Sequence, residues 1–395
     1  MLKRVFGLVL VVVVLGTIAG SASAESIKIG ITLPLTGAQA AFGEILNNAY
    51  NLAADEINAA GGVNGNKLEL LITDHQGQPE LAMSAVENMI NSDKVALLLG
   101  GYASATAYAI AQVAQKNSIP YIIDVASSAR ITREGWQYVF RFSETSSMAM
   151  NGPFAFMQNV AKPKSLALVY ENSTFGTDSI EVVEDWAQQQ GIEIKYSGLF
   201  NSGLVDFKPV LSRVKEAEAD IVIFVAYLTD AVVLMRQSQE LDISPKMFIG
   251  AGAGFVLEDF AKQVGAASQY VGSASIWQPD IDYPGVSEFV NKWTAKFNSA
   301  PTYHAAAGYS AIYLIKDVLE RSTSLSNEDL YNALRETDLW TVYGNIKFKD
   351  FDDYINQSEP LGVMTQWFDG VMHTVWPADF AIKEYVFPVP VWNER

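Results

Sequence analysis

The chain has 395 residues, no cysteine, a formal net charge of −17 and 49% hydrophobic residues. The lack of thiols excludes disulfides, cysteine nucleophiles and a lipid-modified N-terminal cysteine. The acidity argues against nucleic acid or anionic lipid as a partner, since both reward clustered Lys and Arg. The length is too great for one core and suggests two domains.

Residues 1–24 start with Lys3 and Arg4, run apolar from Val5 to about Ala19, and close on Ser21-Ala22-Ser23-Ala24 before Glu25. A basic start, a short apolar core and an Ala-x-Ala end describe a cleaved secretory signal peptide. The apolar run is shorter than the roughly 20 residues a membrane span needs. The expectation is export to the periplasm, with no membrane insertion of the mature chain. Removing residues 1–24 leaves 371 residues and moves the formal charge from −17 to −19.

A strand is expected over 26–33, then a helix with Ile45, Ala49, Leu52, Ala53 and Ile57 on one face, stopped by Gly61-Gly62. A second strand (67–73) and helix (81–91) follow. Residues 95–99 form an apolar run without alternation, the mark of a parallel strand buried on both faces. Gly100-Gly101 ends it, and Ser104 or Thr106 is placed to cap the helix beyond. Strand, glycine turn and helix start aim free N–H groups and a hydroxyl at one point, which suits an anion. From these residues alone, Ser104 is either a cap or an anion ligand. A fourth strand over 120–125 ends at Ala126-Ser127-Ser128-Ala129.

The pattern restarts at about 142–151. Strands are expected at 166–170, 192–196, 221–225, 247–249 and 269–276, with helices at 178–190, 207–216 and 231–240 and a polar loop at 172–177. Helices follow at 286–297, 303–322 and 327–337, then strands at 344–348 and 364–368. Repeated β then α units imply right-handed crossovers and an α/β fold of two doubly wound, mostly parallel sheets. In such sheets ligands bind at the carboxyl ends of strands. The relevant loops are 100–104, 126–128, 171–177, 226–230 and 250–254, rich in Gly, Ala, Ser, Tyr or Phe and poor in charge.

Catalytic signatures are missing. His75, His304 and His373 stand at no metal-ligand spacing, and no G-x-S-x-G elbow or phosphate-binding G-x-x-x-x-G-K-[ST] loop occurs. Gly250-Ala251-Gly252-Ala253-Gly254 lacks the spacing of a dinucleotide fingerprint and reads as a turn that something approaches closely. Asp74 and His75 read as a solvated turn rather than an acid–base pair. No metal, cofactor or catalytic residue is expected, and the chain is not expected to be an enzyme.

The order of these pieces resembles the periplasmic solute-binding proteins of branched-chain amino-acid ABC importers, the type I leucine/isoleucine/valine-binding family. The likeness rests on Ile29-Gly30-Ile31-Thr32-Leu33-Pro34-Leu35-Thr36-Gly37, on the run from Ala54-Asp55-Glu56-Ile57-Asn58 through Gly61-Gly62-Val63-Asn64-Gly65, on Leu99-Gly100 to Ser104-Ala105-Thr106, and on Tyr170 to Phe175-Gly176 and Asp206-Phe207. The resemblance implies two α/β lobes joined by three crossings near 142–148, 273–279 and 341–360. It places 25–145 plus 277–342 in the first lobe and 146–275 plus 350–395 in the second. It also implies a monomer that binds a small carboxylate ligand between the lobes and delivers it to a membrane permease. A ligand-sensing regulatory module on the same fold is the alternative.

Carried onto this sequence, the resemblance gives Ser104 with Thr106, and Ser127 with Ser128, as the ligand's carboxylate contacts on the first lobe. It gives Phe42 as an aromatic over the ligand, or a ring pinned on its own lobe, and Tyr227 as a tyrosine reaching across from the second lobe, or a core residue. Tyr102, Phe175, Trp277 and Ala253 are expected near the cleft as well. Amino-acid binders of the family place an acidic residue in the loop after the 247–249 strand, to pair with the ligand ammonium. Here that loop has none, although Asp124 or Asp230 could substitute. Phe175 stands where a tyrosine is frequent. An unpaired buried ammonium is costly, so the expected ligand is an aromatic acid or a branched keto or hydroxy acid, followed by an aliphatic amino acid.

Overall fold

The structure is a computed structural model that describes residues 26–395. The expected signal peptide at 1–24 lies outside the described residues. The chain first lays down β1 (Ser26–Leu33), β2 (Lys67–Asp74), β3 (Leu97–Gly100), β4 (Tyr121–Ile123) and β5 (Val139–Arg141). Helices Ala40–Ala59, Pro79–Asn88 and Ser104–Lys116 alternate with the first four of these strands. It then repeats the plan with β6 (Ser165–Glu171), β7 (Glu193–Phe200), β8 (Ile221–Val225), β9 (Met247–Gly250) and β10 (Gly272–Ser275). Three further helices, Val286–Phe297, Tyr303–Arg321 and Asn327–Arg335, are followed by β11 (Asp338–Thr341) and β12 (Gly344–Lys347). The last strands are β13 (Lys349–Phe351), β14 (Tyr354–Gln357), β15 (Val363–Phe368) and β16 (Val371–Trp376).

Two seven-stranded sheets result, in the orders β13-β14-β5-β4-β3-β1-β2 and β16-β15-β10-β9-β8-β6-β7, while β11 and β12 form a separate ribbon. Neighbours from β1 to β5 and from β6 to β10 run parallel. The central strands β3, β4, β8 and β9 are buried along their whole length, as short apolar runs covered by helices on both faces must be. At the edge, β7 alternates more and less exposed residues instead. Helix Val286–Phe297 buries Val286, Phe289 and Trp293, spaced three and four residues apart.

Strand order reverses at matching places: β1 lies between β2 and β3, and β6 between β7 and β8. The carboxyl ends of β3 and β8 therefore flank two topological switch points, where open α/β sheets leave a crevice. The chain passes between the sheets after β5, after β10 and between β14 and β15. Because β14 pairs with β5, residues 349–357 belong to the first sheet, which corrects the expectation that the chain from 350 onward lies in the second lobe. The pairing Gln357↔Arg141 explains the difference: a returning segment satisfies the open edge of β5 before crossing.

Candidate functional site

The turn after β3 is built by backbone conformation. Gly100 and Gly101 have φ values of +98° and +93°, and Tyr102 is left-handed at +55°. A Cβ on Gly101 would lie 2.7 Å from the Tyr121 hydroxyl, so only glycine fits. The helix begins at Ser104 with Ala103 at its N-cap position and no side-chain cap. Neither Ser104 nor Thr106 caps it, contrary to that reading of the sequence. The Ser104 Oγ instead accepts the Ser128 N–H at 3.2 Å, tying two loops of the first lobe together.

Opposite stands the turn after β8, Ala226-Tyr227, leading into helix Leu228–Glu240. Gly254 packs beneath it; a Cβ there would come within 2.6 Å of the Tyr227 carbonyl carbon and the Leu228 nitrogen. The two lobes are shut on each other around a small cavity. Tyr102, Ser104, Ser127, Tyr227, Phe175 and Ala253 line it, joined by Glu144, Ser146, Met150, Ser179, Tyr303 and His304. Ring centroids lie 6.0 Å apart for Tyr102 and Tyr227, 5.4 Å for Phe175 and Tyr227, and 5.9 Å for Tyr102 and His304. The walls are aromatic, with hydroxyls between.

Four of the expected residues sit elsewhere. Phe42 is fully buried one layer back, stacked on Tyr102 at 4.8 Å and edge-on to Tyr227 at 5.9 Å. It supports the lining rings from behind. Thr106 is buried outside the lining, its hydroxyl turned away from any protein partner. Ser128 also lies outside it: its hydroxyl donates to the Asp178 carboxylate of the opposite lobe. Trp277 is buried away from the cavity, donating to the Val342 carbonyl at 2.8 Å. Phase matters for Phe175: helix Thr174–Gln190 starts earlier than expected, capped by Ser173, whose Oγ accepts the Gly176 N–H at 3.1 Å. Phe175 therefore lies on a helical first turn rather than in a polar loop.

The suggested substitutes for a missing acid are engaged elsewhere. Asp124 accepts the Tyr50 hydroxyl at 2.6 Å, and Asp230 accepts from Ser202 and the Gly203 N–H at 3.0 Å each. The loop after β9 has no carboxylate, as read, but the cavity has one in its wall: Glu144, only 5% exposed. It accepts the Tyr343 hydroxyl at 3.0 Å, and burial pushes its carboxyl up to about 7. His304 is fully buried; desolvation pushes its imidazole down to about 3, so it is neutral. Its Nδ1 lies 3.3 Å from the Thr302 hydroxyl, while Nε2 has no protein partner.

Arg141 stands behind the 126–128 loop. Its Nη1 donates to the Ala126 carbonyl at 3.1 Å and the Ser128 carbonyl at 2.6 Å, its Nη2 to Thr132 at 2.7 Å, and its Nε to Gln357 at 2.6 Å. Burial lowers the guanidinium only to about 10, so it remains a cation held by neutral acceptors. Sequence reading passed over Glu144, Ser146, Tyr303, His304 (weighed only as a metal ligand) and Arg141. The first two lie on a crossing with no motif, and the next two open a helix whose pattern marks only its core face. Among the described residues no group of three or more His, Asp or Glu is placed to hold a metal, and no helix is long and apolar enough to cross a membrane.

Residues 26–360 match the family described as periplasmic binding protein. The chain belongs to that family. Its curated relatives include proteins described as Leu/Ile/Val-binding protein homologues. The Leu/Ile/Val-binding protein homolog 8 of Brucella suis is 29% identical over 393 residues, covering 95% of this chain and 96% of that protein. The branched-chain amino-acid transporter substrate-binding protein LivJ of Streptococcus pneumoniae, solved with isoleucine, superposes with a TM-score of 0.81 at 23% identity, covering 89% of this binding protein and all of that chain. A solute-binding protein of an ABC transporter from R. palustris, solved with benzoate, gives 0.79 at 18% identity, covering 93% and 100%. The fold is thus that of the type I periplasmic binding proteins.

Proposed function

We propose that this binding protein is the periplasmic receptor of an ABC importer, capturing a small monocarboxylate between its lobes and presenting it to a membrane permease. The observation that carries the ligand class is the first-lobe wall. Ser104 and Ser127 stand there beside the start of helix Ser104–Lys116, whose first N–H groups lack intrahelical partners. The rings of Tyr102, Phe175 and Tyr227 give the remainder of the ligand an apolar enclosure. Contacts from both lobes give the closed form its preference for ligand. The protein works as a monomer and performs no reaction on what it binds.

A thermal-shift screen of the chain from residue 25 tests this, setting branched-chain amino acids against aromatic and branched organic acids. One member should raise the midpoint strongly, and Ser104→Ala should reduce that rise. A midpoint moved by no small carboxylate, or moved equally in the variant, would overturn the reading.

A further inference from the structure

Glu144 raises a question of charge. It is the one acidic side chain in the cavity wall, and no Lys or Arg joins it there. Its segment is laced to the Ser127 loop, since the Ser146 N–H donates to the Ser127 carbonyl at 2.9 Å and their hydroxyls lie 3.3 Å apart. The acid thus stands on the side where the preceding section docks the ligand's carboxylate. Two ionised carboxylates shut in one small cavity without a cation repel strongly.

The neighbours do not supply that cation. Arg141 lowers the Glu144 carboxyl only in part, being spent on the Ala126 and Ser128 carbonyls, Thr132 and Gln357. Asp124, behind β4, pushes the other way. Tyr343 donates one hydrogen bond, Tyr102 and Tyr303 are neutral phenols, and His304 is a neutral imidazole. A proton on Glu144 removes the repulsion and turns an acceptor into a donor aimed at the anion.

We propose that Glu144 selects the ligand's charge: a carboxylate without an amine is held only with Glu144 protonated, so its capture takes up one proton wherever Glu144 of the free protein is ionised. This rests on the cleft reading above. A zwitterion brings its own cation and leaves Glu144 ionised. The sign follows. Below about pH 7 the free protein already carries the proton and affinity is flat; above it, each pH unit weakens an amine-free acid about tenfold.

Calorimetry on the chain from residue 25, with benzoate and isoleucine as probes, tests the proposal between pH 6 and 9. Benzoate should bind about fiftyfold more weakly at pH 9 than at pH 7, and titration at pH 8.5 in phosphate and in Tris should report close to one proton taken up. Glu144→Gln, a mimic of the protonated acid, should abolish the pH slope; the wild-type proton count stands even if that variant does not fold. Benzoate affinity flat across this range, or isoleucine bound with a loss of affinity in Glu144→Gln while benzoate is ignored, would overturn the proposal and leave the cleft reading intact. Binding of neither probe at millimolar concentration would overturn both.

Discussion

Tyr102 and Tyr227 occupy equivalent places in two separate sheets, each two residues beyond the strand at its switch point, and their rings meet with centroids 6.0 Å apart. One comes from each lobe, so the pair exists only while the cleft is shut. Tyr227 should therefore add affinity by favouring closure as well as by touching ligand. Tyr227→Ala is expected to weaken binding at least tenfold, about 1.4 kcal/mol, by isothermal calorimetry with the best ligand of the screen. Unchanged affinity would assign this ring to packing alone.

Ser104 offers its hydroxyl at the cavity while its oxygen accepts the Ser128 N–H. Hydrogen bonds to a charged group are worth about 1.5–3 kcal/mol. Ser104→Ala should raise Kd at least tenfold, with Ser104→Thr recovering part of the loss. Equal affinities in all three proteins would remove Ser104 from the ligand's contacts.

The Ser128 hydroxyl and the Asp178 carboxylate form a latch between lobes. A latch made only on closure acts on escape rather than encounter. Ser128→Ala should speed ligand dissociation about tenfold in stopped-flow measurements, with association within twofold of wild type. A change confined to association would show that the contact guides entry instead.

Glu171, at the end of β6, is buried with its Oε2 unpartnered; desolvation and then nearby Asp230 push its carboxyl up to about 7. A carboxyl raised in the folded state binds its proton more tightly there than in the unfolded chain. Its stabilising share is full below the ordinary value of 4.5, declines as pH rises towards 7, and is gone above it. Glu171→Gln should raise the thermal midpoint by a few degrees at pH 8 and leave it unchanged at pH 4. A lower midpoint at pH 8 would mean the ionised form is held favourably.

Much of the architecture could be read from residue order because buried parallel strands are written as uninterrupted apolar runs: residues 221–225 and helix Val286–Phe297 came out with their observed bounds. The stretch from Val139 to Phe156 did not, since β5 has three residues and the helix Ser146–Phe156 carries a weakly sided pattern with Pro153 inside. For the site, loop positions followed from the strand ends, but which side chain faces the cavity depends on a rotation of the first helical turn. One such turn separates Ser104 from Thr106, and another puts Phe175 on a helix. Glu144 was invisible for a further reason: only tertiary closure buries it.

The guanidinium of Arg141 grips both the Ser128 loop and Gln357, so the 126–128 loop and the returning chain share one fastening. Anyone redesigning this binding protein as a biosensor inherits that constraint: altering residues 126–128 disturbs the crossing held by Arg141 as well as the cavity wall. Ala251 lines the same cavity from the far lobe with a short side chain, which makes it the safer position for grafting a new specificity.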